Sequence, residues 1–451
     1  MQRFCNATLI SYIVRVPDFQ DGCPFCLLRS EIAVQNRNPT AGEKMDTPTL
    51  LPSHYQPGGT IQTECQFVGR SDTINRVLSL LEEARENVVL IEGPHQVGKT
   101  SLLHQLRRRW GVQDGSVIFS LGDFRADTDI AEVLHRLGRE VMLATPTLPY
   151  GVGRNGSSAE QSACHLIDLL NQIARHRKAK PPFVVMLDDL AALASQDRAP
   201  KANPARYLEM IVQRCPTTKF VIVQSFEPGA GEQPCAQIFR HARRFTVGNL
   251  TLGEVAGVCR LSERVGKTQG LRWTDEAIEA IFALTDGHPL LVQAMCAGIW
   301  HRFAAAEPLH TIERKDLEGE AGLSLLLAEA GDALAQIWAR LPVAAQAVLM
   351  LVAQHGNVVA VRDLDAAIMV RRRWHGALRQ ACTELRYAGF LVAEGDGVRC
   401  SPPLLCLWAQ GQDLSSASEL QQMIAAADQP PAARSRARTK TPPHIGAPPP
   451  I

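Results

Sequence analysis

The hydrophobic pattern of this chain changes period along its length. Val88–Ile91, Val117–Leu121, Phe183–Leu187 and Phe220–Gln224 are short, mostly apolar runs. Runs of that length without polar alternation predict strands buried on both faces. Between them, residues 101–110, 129–143, 162–177 and 207–214 repeat apolar side chains at helical spacing. In the first of these, Leu102, Leu103 and Leu106 share a face, and Arg107–Arg109 place cations at the negative end of the helix. The alternation predicts an α/β fold, a parallel sheet with helices on both faces.

After Leu252 the strand signal fades. Helical periods over 253–265, 274–284 and 289–304 predict an all-α unit. A second module begins near Ala328, with helices over 333–340, 344–353, 361–368 and 374–388. Phe390–Ala393, the turn Glu394-Gly395-Asp396-Gly397 and Val398–Ser401 then form a hairpin. Helices followed by a hairpin predict a winged helix-turn-helix. Residues 1–62 show no sustained period and read as a poorly ordered extension. Residues 429–451 hold seven prolines, four Lys/Arg and no acid, the composition of a solvated tail. The expected division is therefore 1–62 extension, 63–250 α/β core, 251–325 helical lid, 326–412 winged helix, and 413–451 helix remnant and disordered tail.

Composition narrows the class without identifying it. Of 451 residues, 45% are hydrophobic and 21% charged, which excludes fibrous and wholly disordered chains. With 47 Lys+Arg against 46 Asp+Glu, the net charge of +1 excludes a strongly basic nucleic-acid-coating protein, so any such contact must be local. No run approaches the roughly 18 apolar residues of a membrane span, and the N-terminus lacks a secretory pattern. A cytoplasmic protein without membrane contact is expected, with its 12 cysteines mostly thiols. Cys23 and Cys26 form a lone C-x-x-C for which metal, redox and no chemical role all stay open.

The chemistry concentrates at Gly93-Pro94-His95-Gln96-Val97-Gly98-Lys99-Thr100, a full G-x-x-x-x-G-K-T between a predicted strand and a helix that continues through Ser101. Gly93 and Gly98 permit backbone angles and close approaches that a Cβ forbids, so successive N–H groups can face phosphate oxygens at a helix N-terminus. Lys99 is expected on the β- and γ-phosphates, and Thr100 on Mg²⁺, an ion that prefers hard oxygen ligands. The run ending in Asp188-Asp189 places carboxylates at the carboxyl end of a buried strand, where ligands of open α/β sheets sit. Asp188 is the expected second metal ligand and Asp189 a second candidate catalytic acid, with capping of the following helix the alternative for both.

These residues, together with Phe67-Val68-Gly69-Arg70, resemble the F-V-G-R-to-P-loop segment of origin-recognition-type AAA+ ATPases and of the related STAND ATPases, signal-transducing ATPases with numerous domains. The resemblance implies ATP with Mg²⁺, base contacts from Val68 and Gly69, and Arg70 structural or nucleotide-facing. It implies a lid element at Gly287-His288-Pro289, with His288 facing the phosphates; from the residues alone His288 equally fits a turn between two helices. Gln224 or Ser225 falls at the family's sensor strand. Arg240, Arg243 and Arg244 resemble an arginine-finger segment, in which Arg243 would serve a neighbouring copy. Asp189 stands where many such ATPases carry glutamate, one methylene longer, which argues for slow or absent turnover.

In the predicted winged unit, Arg371-Arg372-Arg373, Arg379 and Arg386 could neutralise duplex DNA phosphates and Gln380 could reach base edges, although Asp363, Asp365 and Glu384 flank them. The family's alternative use of such a unit is as a latch against the ATPase. The resulting expectation is an ATP-binding and hydrolysing regulatory switch with a protein partner or self-association, and a DNA-binding ATPase of the origin-recognition type as the second reading.

Overall fold

A computed structural model describes residues 55–83, 87–111, 115–122, 128–146, 158–177, 181–190, 204–226, 242–264, 270–303, 309–355, 358–411, 420 and 424. Cys23 and Cys26, Arg240, most of the expected extension and the Pro/Arg-rich tail lie outside these residues.

Five parallel strands, β1 (Val88–Pro94), β2 (Ser116–Ser120), β3 (Val184–Asp188), β4 (Lys219–Phe226) and β5 (Arg243–Thr246), form one sheet in the order β2-β3-β4-β1-β5. The apolar runs behave as strands covered on both sides. Val88 and Leu90 point into one core and Val89 and Ile91 into the other. Burying each of the two larger side chains contributes about 1.5–3 kcal/mol. Helices α1 (Ser71–Glu82) and α2 (Lys99–Trp110) cover the second face through Ile74, Val77, Leu81, Leu102, Leu103 and Leu106. Helices α3 (Ile130–Leu143), α4 (Ala159–His176) and α5 (Pro204–Arg214) cover the first. The Asp129 carboxylate accepts from the Ala131 N–H and the Ser158 hydroxyl from the Gln161 N–H, which sets where α3 and α4 begin.

Beyond the sheet, α6 (Leu252–Cys259), α7 (Asp275–Thr285) and α8 (Pro289–Phe303) form the expected lid helices. The unit is not all-α: β6 (Gly270–Trp273) and β7 (Leu309–Ile312) pair in parallel, each four residues long and too short to carry a period in the sequence. Helices α9 (Gly319–Glu329) and α10 (Gly331–Arg340) lead into α11 (Val343–Gln354). A three-stranded antiparallel sheet of β8 (Val358–Ala360), β9 (Leu391–Glu394) and β10 (Gly397–Cys400), ordered β8-β10-β9, carries α12 (Val361–Val370), α13 (His375–Tyr387) and α14 (Pro403–Gln410). This is the helix-and-hairpin pattern of a winged unit. Lid and winged unit share one continuous core, to which Trp273, Met295, Ile337, Leu349, Leu378 and Leu404 all belong.

Some details refine these expectations and others overturn them. Within the expected extension, Tyr55 is packed inside the lid core at 3% exposed, while Gln56, Pro57, Gly58, Gly59 and Gln62 stay exposed. Cys400 and Cys406 are joined as a disulfide between β10 and α14, their Cα atoms 6.4 Å apart. Arg371 does not present itself to a duplex: it is 7% exposed, and its guanidinium donates to the Ala367 and Ile424 carbonyls at 2.5 and 2.6 Å. The helix expected over 374–388 runs from His375 to Tyr387, and Arg372, Arg373 and Arg379 remain exposed. Among the described residues no helix is long and apolar enough to cross a membrane.

Candidate nucleotide-binding site

The loop between β1 and α2 leaves the sheet beside β5 and turns back at two residues of left-handed backbone, Gln96 (φ 60°) and Gly98 (φ 86°). Gly93 cannot be larger, because a Cβ there would lie 2.1 Å from the Val247 carbonyl oxygen. Val97 is fully buried under the sheet and fixes the loop's inner side. Lys99 opens α2 and folds over the loop, donating to the Gly93 and Pro94 carbonyls at 3.0 and 2.5 Å. Its ammonium is therefore held against the carbonyls at the start of the loop.

Next to Lys99, the Thr100 hydroxyl donates to Asp188 Oδ2 at 2.7 Å. Two hard oxygens from α2 and the end of β3 thus meet at one point, and this donor set fits a hydrated Mg²⁺. Burial raises the Asp188 carboxyl above the usual range, opposed by the Thr100 hydrogen bond. Asp189 follows in left-handed backbone (φ 58°), its carboxylate lying over Gly122 at the end of β2, where a Cβ would come within 2.8 Å of Oδ2. Gln224 on β4 lies opposite Glu92 of β1, is 2% exposed, and among the described residues its Oε1 has no hydrogen-bond partner. Ser225, opposite Gly93, is buried beside it.

The lead-in segment joins the two bodies. Phe67 packs on the sheet core and Val68 on the lid core. Gly69 (φ 80°) admits no side chain, since a Cβ would stand 2.2 Å from Glu254 Oε1. Gly257 of α6 is likewise filled by Val68 Cγ1. The Arg70 N–H donates to Glu254 Oε1 at 2.7 Å, and its guanidinium donates to the Gly248 carbonyl at 3.0 Å and lies against Gly98 of the phosphate loop. Burial lowers the Arg70 pKa to about 10. Glu254 also closes a capping box with Thr251 at the start of α6. That T-x-x-E spacing is readable in the sequence; its second use, holding Arg70, is not.

His288 sits in the turn between α7 and α8, with Pro289 as the first residue of α8. It is 4% exposed, and burial, with the Arg70 and Lys99 cations, lowers its pKa to about 4. The imidazole is neutral at pH 7, and among the described residues its Nδ1 lacks a hydrogen-bond partner. Gly287 (φ 69°) lies so close to the chain before α6 that a Cβ would be 2.0 Å from the Leu250 carbonyl oxygen. On the other side of this turn, Asp286 holds Arg399 of β10 in a bidentate ion pair.

Other expected site residues fall elsewhere. The Ser101 hydroxyl accepts from the Ile61 N–H at 3.0 Å and so faces the segment 55–66. Arg243 and Arg244 lie in β5 and not in a loop; Arg243 pairs with Val89, near the strand end away from the phosphate loop, and Arg244 forms an ion pair with Glu92 at 3.0 Å. Two residues unmarked by any motif reach the loop from outside: Gln336 accepts from Gln96 Nε2 at 3.2 Å, and Arg340 Nη1 meets the His95 ring nitrogens at 2.9 and 2.7 Å.

Residues 66–207 match the family model of the AAA ATPase domain. No curated protein matches the sequence. Among solved structures, the chain is similar to a Walker-type ATPase of Pyrococcus abyssi, with 14% identity, a TM-score of 0.55, and coverage of 76% of this chain and 96% of that one. This is a likeness of fold. A STAND protein with a tetratricopeptide repeat sensor from Pyrococcus horikoshii matches at 14% identity and TM-score 0.35, over 81% of this chain and 45% of its own. The ORC1 protein of Aeropyrum pernix, in complex with DNA, matches at 14% and 0.42, over 82% and 100%.

Proposed function

We propose that the AAA ATPase domain of this chain binds ATP and works as a regulatory switch, its nucleotide state setting the position of the lid and winged unit against the sheet. The observation that carries this reading is the turn Asp286-Gly287-His288, whose His288 lies within electrostatic reach of Arg70 and Lys99 and whose Asp286 grips the wing through Arg399. Val68 and Gly69 line the base side, the backbone from Gly93 to Gly98 cradles the phosphates, and Lys99 binds their terminal oxygens. Thr100 and Asp188 hold Mg²⁺, which neutralises phosphate charge when bound. Gln224, whose buried Oε1 has no hydrogen-bond partner among the described residues, positions the attacking water, and Asp189 orients it less closely than a longer acid would.

Because lid and winged unit share a core, a shift at the His288 turn moves both as one body, with 247–251 and the segment before Arg70 as the joints. The output is then a surface of the winged unit offered to a protein partner or to another copy. Its arginines Arg372, Arg373 and Arg379 also stand exposed, which favours a second reading, contact with duplex DNA.

ATP turnover by the full chain, measured beside Lys99→Ala with and without duplex DNA at two salt concentrations, tests this. Turnover lost in Lys99→Ala and indifferent to DNA supports the switch. Stimulation by DNA that disappears at high salt supports the DNA reading, because phosphate contacts release counterions. Equal phosphate release by wild type and Lys99→Ala overturns both.

A further inference from the structure

Helix α12 ends in two bare apolar side chains. Met369 and Val370, its last two residues, are 57% and 56% exposed, while Leu364 and Ile368 of the same helix are buried in the shared core. The turn that follows is basic: Arg372 and Arg373 are exposed, as is Arg379 in the second turn of α13. We infer that this helix end and turn form a docking surface for a protein segment that carries large apolar side chains next to carboxylates. The inference rests on the regulatory reading above, to whose output surface it gives a partner class.

Adjacent large apolar side chains left in water add nothing to the core and mark a surface that meets a partner. Methionine, unbranched and polarisable, fits an irregular apolar surface well. The arginines beside them are available to an outside acid. Arg371 already serves the carbonyl end of α12 from inside, donating to Ala367 and Ile424, and among the described residues Arg372, Arg373 and Arg379 have no ion-pair partner. Trp374, packed against the core, holds the Arg373 guanidinium carbon 4.7 Å from its ring centroid, so this cation is placed before a partner arrives. The charge is also one-sided: exposed Asp363 and Asp365 precede the apolar pair in α12 as the arginines follow it. A duplex carries its charge continuously and meets those acids as well as the arginines, whereas a peptide sets its carboxylates toward the arginines alone. The chain's own tail does not supply the occupant, because residues 429–451 hold four Lys/Arg and no acid.

Fluorescence anisotropy tests this with the full chain and a labelled peptide in which glutamates alternate with leucine and phenylalanine. Wild type is expected to bind it, more weakly as salt rises. Replacing both apolar residues, Met369→Ser with Val370→Ser, is expected to weaken binding roughly tenfold or more. Arg372→Glu with Arg373→Glu is expected to weaken it by a similar factor and to remove most of the salt dependence, while Met369→Leu, which keeps an apolar anchor, retains binding. All the substituted residues are exposed, so the variants are expected to unfold at the wild-type midpoint. No binding of the peptide, or binding unchanged in both double variants, overturns the assignment. So does a labelled duplex that outcompetes the peptide and is lost with the two arginines but not with Met369 and Val370, the result that favours DNA. ATP turnover of the same preparations keeps the two readings apart: turnover without peptide binding overturns this inference alone, and patch-dependent peptide binding without turnover overturns the nucleotide reading alone.

Discussion

Arg399 on the wing holds both carboxylate oxygens of Asp286, a residue 113 positions earlier at the end of α7. The pair is mostly shielded, with side chains 19% and 17% exposed, and Arg399 binds Glu394 as well, at 2.8 Å. Two residues after Asp286 comes His288, within electrostatic reach of Lys99 and Arg70. A single turn therefore lies within electrostatic reach of Lys99 through His288 and holds the wing through Asp286, and its backbone is pinned by the Leu250 N–H donating to the Gly287 carbonyl at 2.8 Å.

A double-mutant cycle on Asp286→Ala and Arg399→Ala is expected to give a coupling of roughly 1–3 kcal/mol, above the value for exposed pairs. Arg399→Ala is expected to destabilise more than the double, since it leaves the shielded Asp286 carboxylate without its partner, whereas Asp286→Ala leaves Arg399 paired with Glu394. Denaturant unfolding of the four proteins measures this, and additivity of the two substitutions would remove the bridge from the switch.

His288 makes the fold acid-sensitive. Its pKa falls from 6.5 to about 4 on burial, so the unfolded chain binds the extra proton first. Stability from this group is complete above about pH 6.5 and is lost as pH falls toward 4, by on the order of 3 kcal/mol in all. Thermal unfolding between pH 7.5 and 4.5 is expected to drop more steeply in wild type than in His288→Gln. Parallel curves would place the acid sensitivity elsewhere.

Tyr55 ties the segment before the ATPase core to the lid. Its hydroxyl donates to the Cys259 carbonyl at 2.7 Å, the Gln56 N–H donates to Gln293 Oε1 at 3.0 Å, and the Gln105 amide on α2 donates to the Gln62 carbonyl at 3.3 Å. Tyr55→Ala is expected to destabilise by about 3–5 kcal/mol, as for other large aromatic truncations, and Tyr55→Phe by about 1 kcal/mol through the lost hydrogen bond. Unfolding midpoints in urea measure both. If Tyr55→Ala unfolds like wild type, the strap carries no packing weight.

The strands, the glycine-rich loop between β1 and α2, the acid pair at the end of β3 and the succession of sheet, helices and hairpin were legible because each rests on neighbours in sequence. A buried parallel strand shows as an unbroken apolar run, and a phosphate cradle needs its glycines and lysine at fixed spacing. What lay outside that reach was decided by chain crossings. Arg371, read as a phosphate contact, is turned inward by carbonyls of Ala367 and Ile424, and Arg244 is taken by Glu92, 152 residues away. The short β6 and β7 strands stabilise each other across 39 residues, and neither four-residue run has a period of its own.

The sequence by itself determined that this chain has a P-loop core with a carboxylate at the end of a buried strand, because local backbone geometry and hydrophobic period dictate both. Only the tertiary structure decided that Tyr55 is anchored in the lid, that Asp286 holds the wing, and that Arg340 stands at the phosphate loop. Those contacts join residues 113 to 245 positions apart, and polar pairings of that separation depend on where packed cores bring the backbone, which no local pattern records.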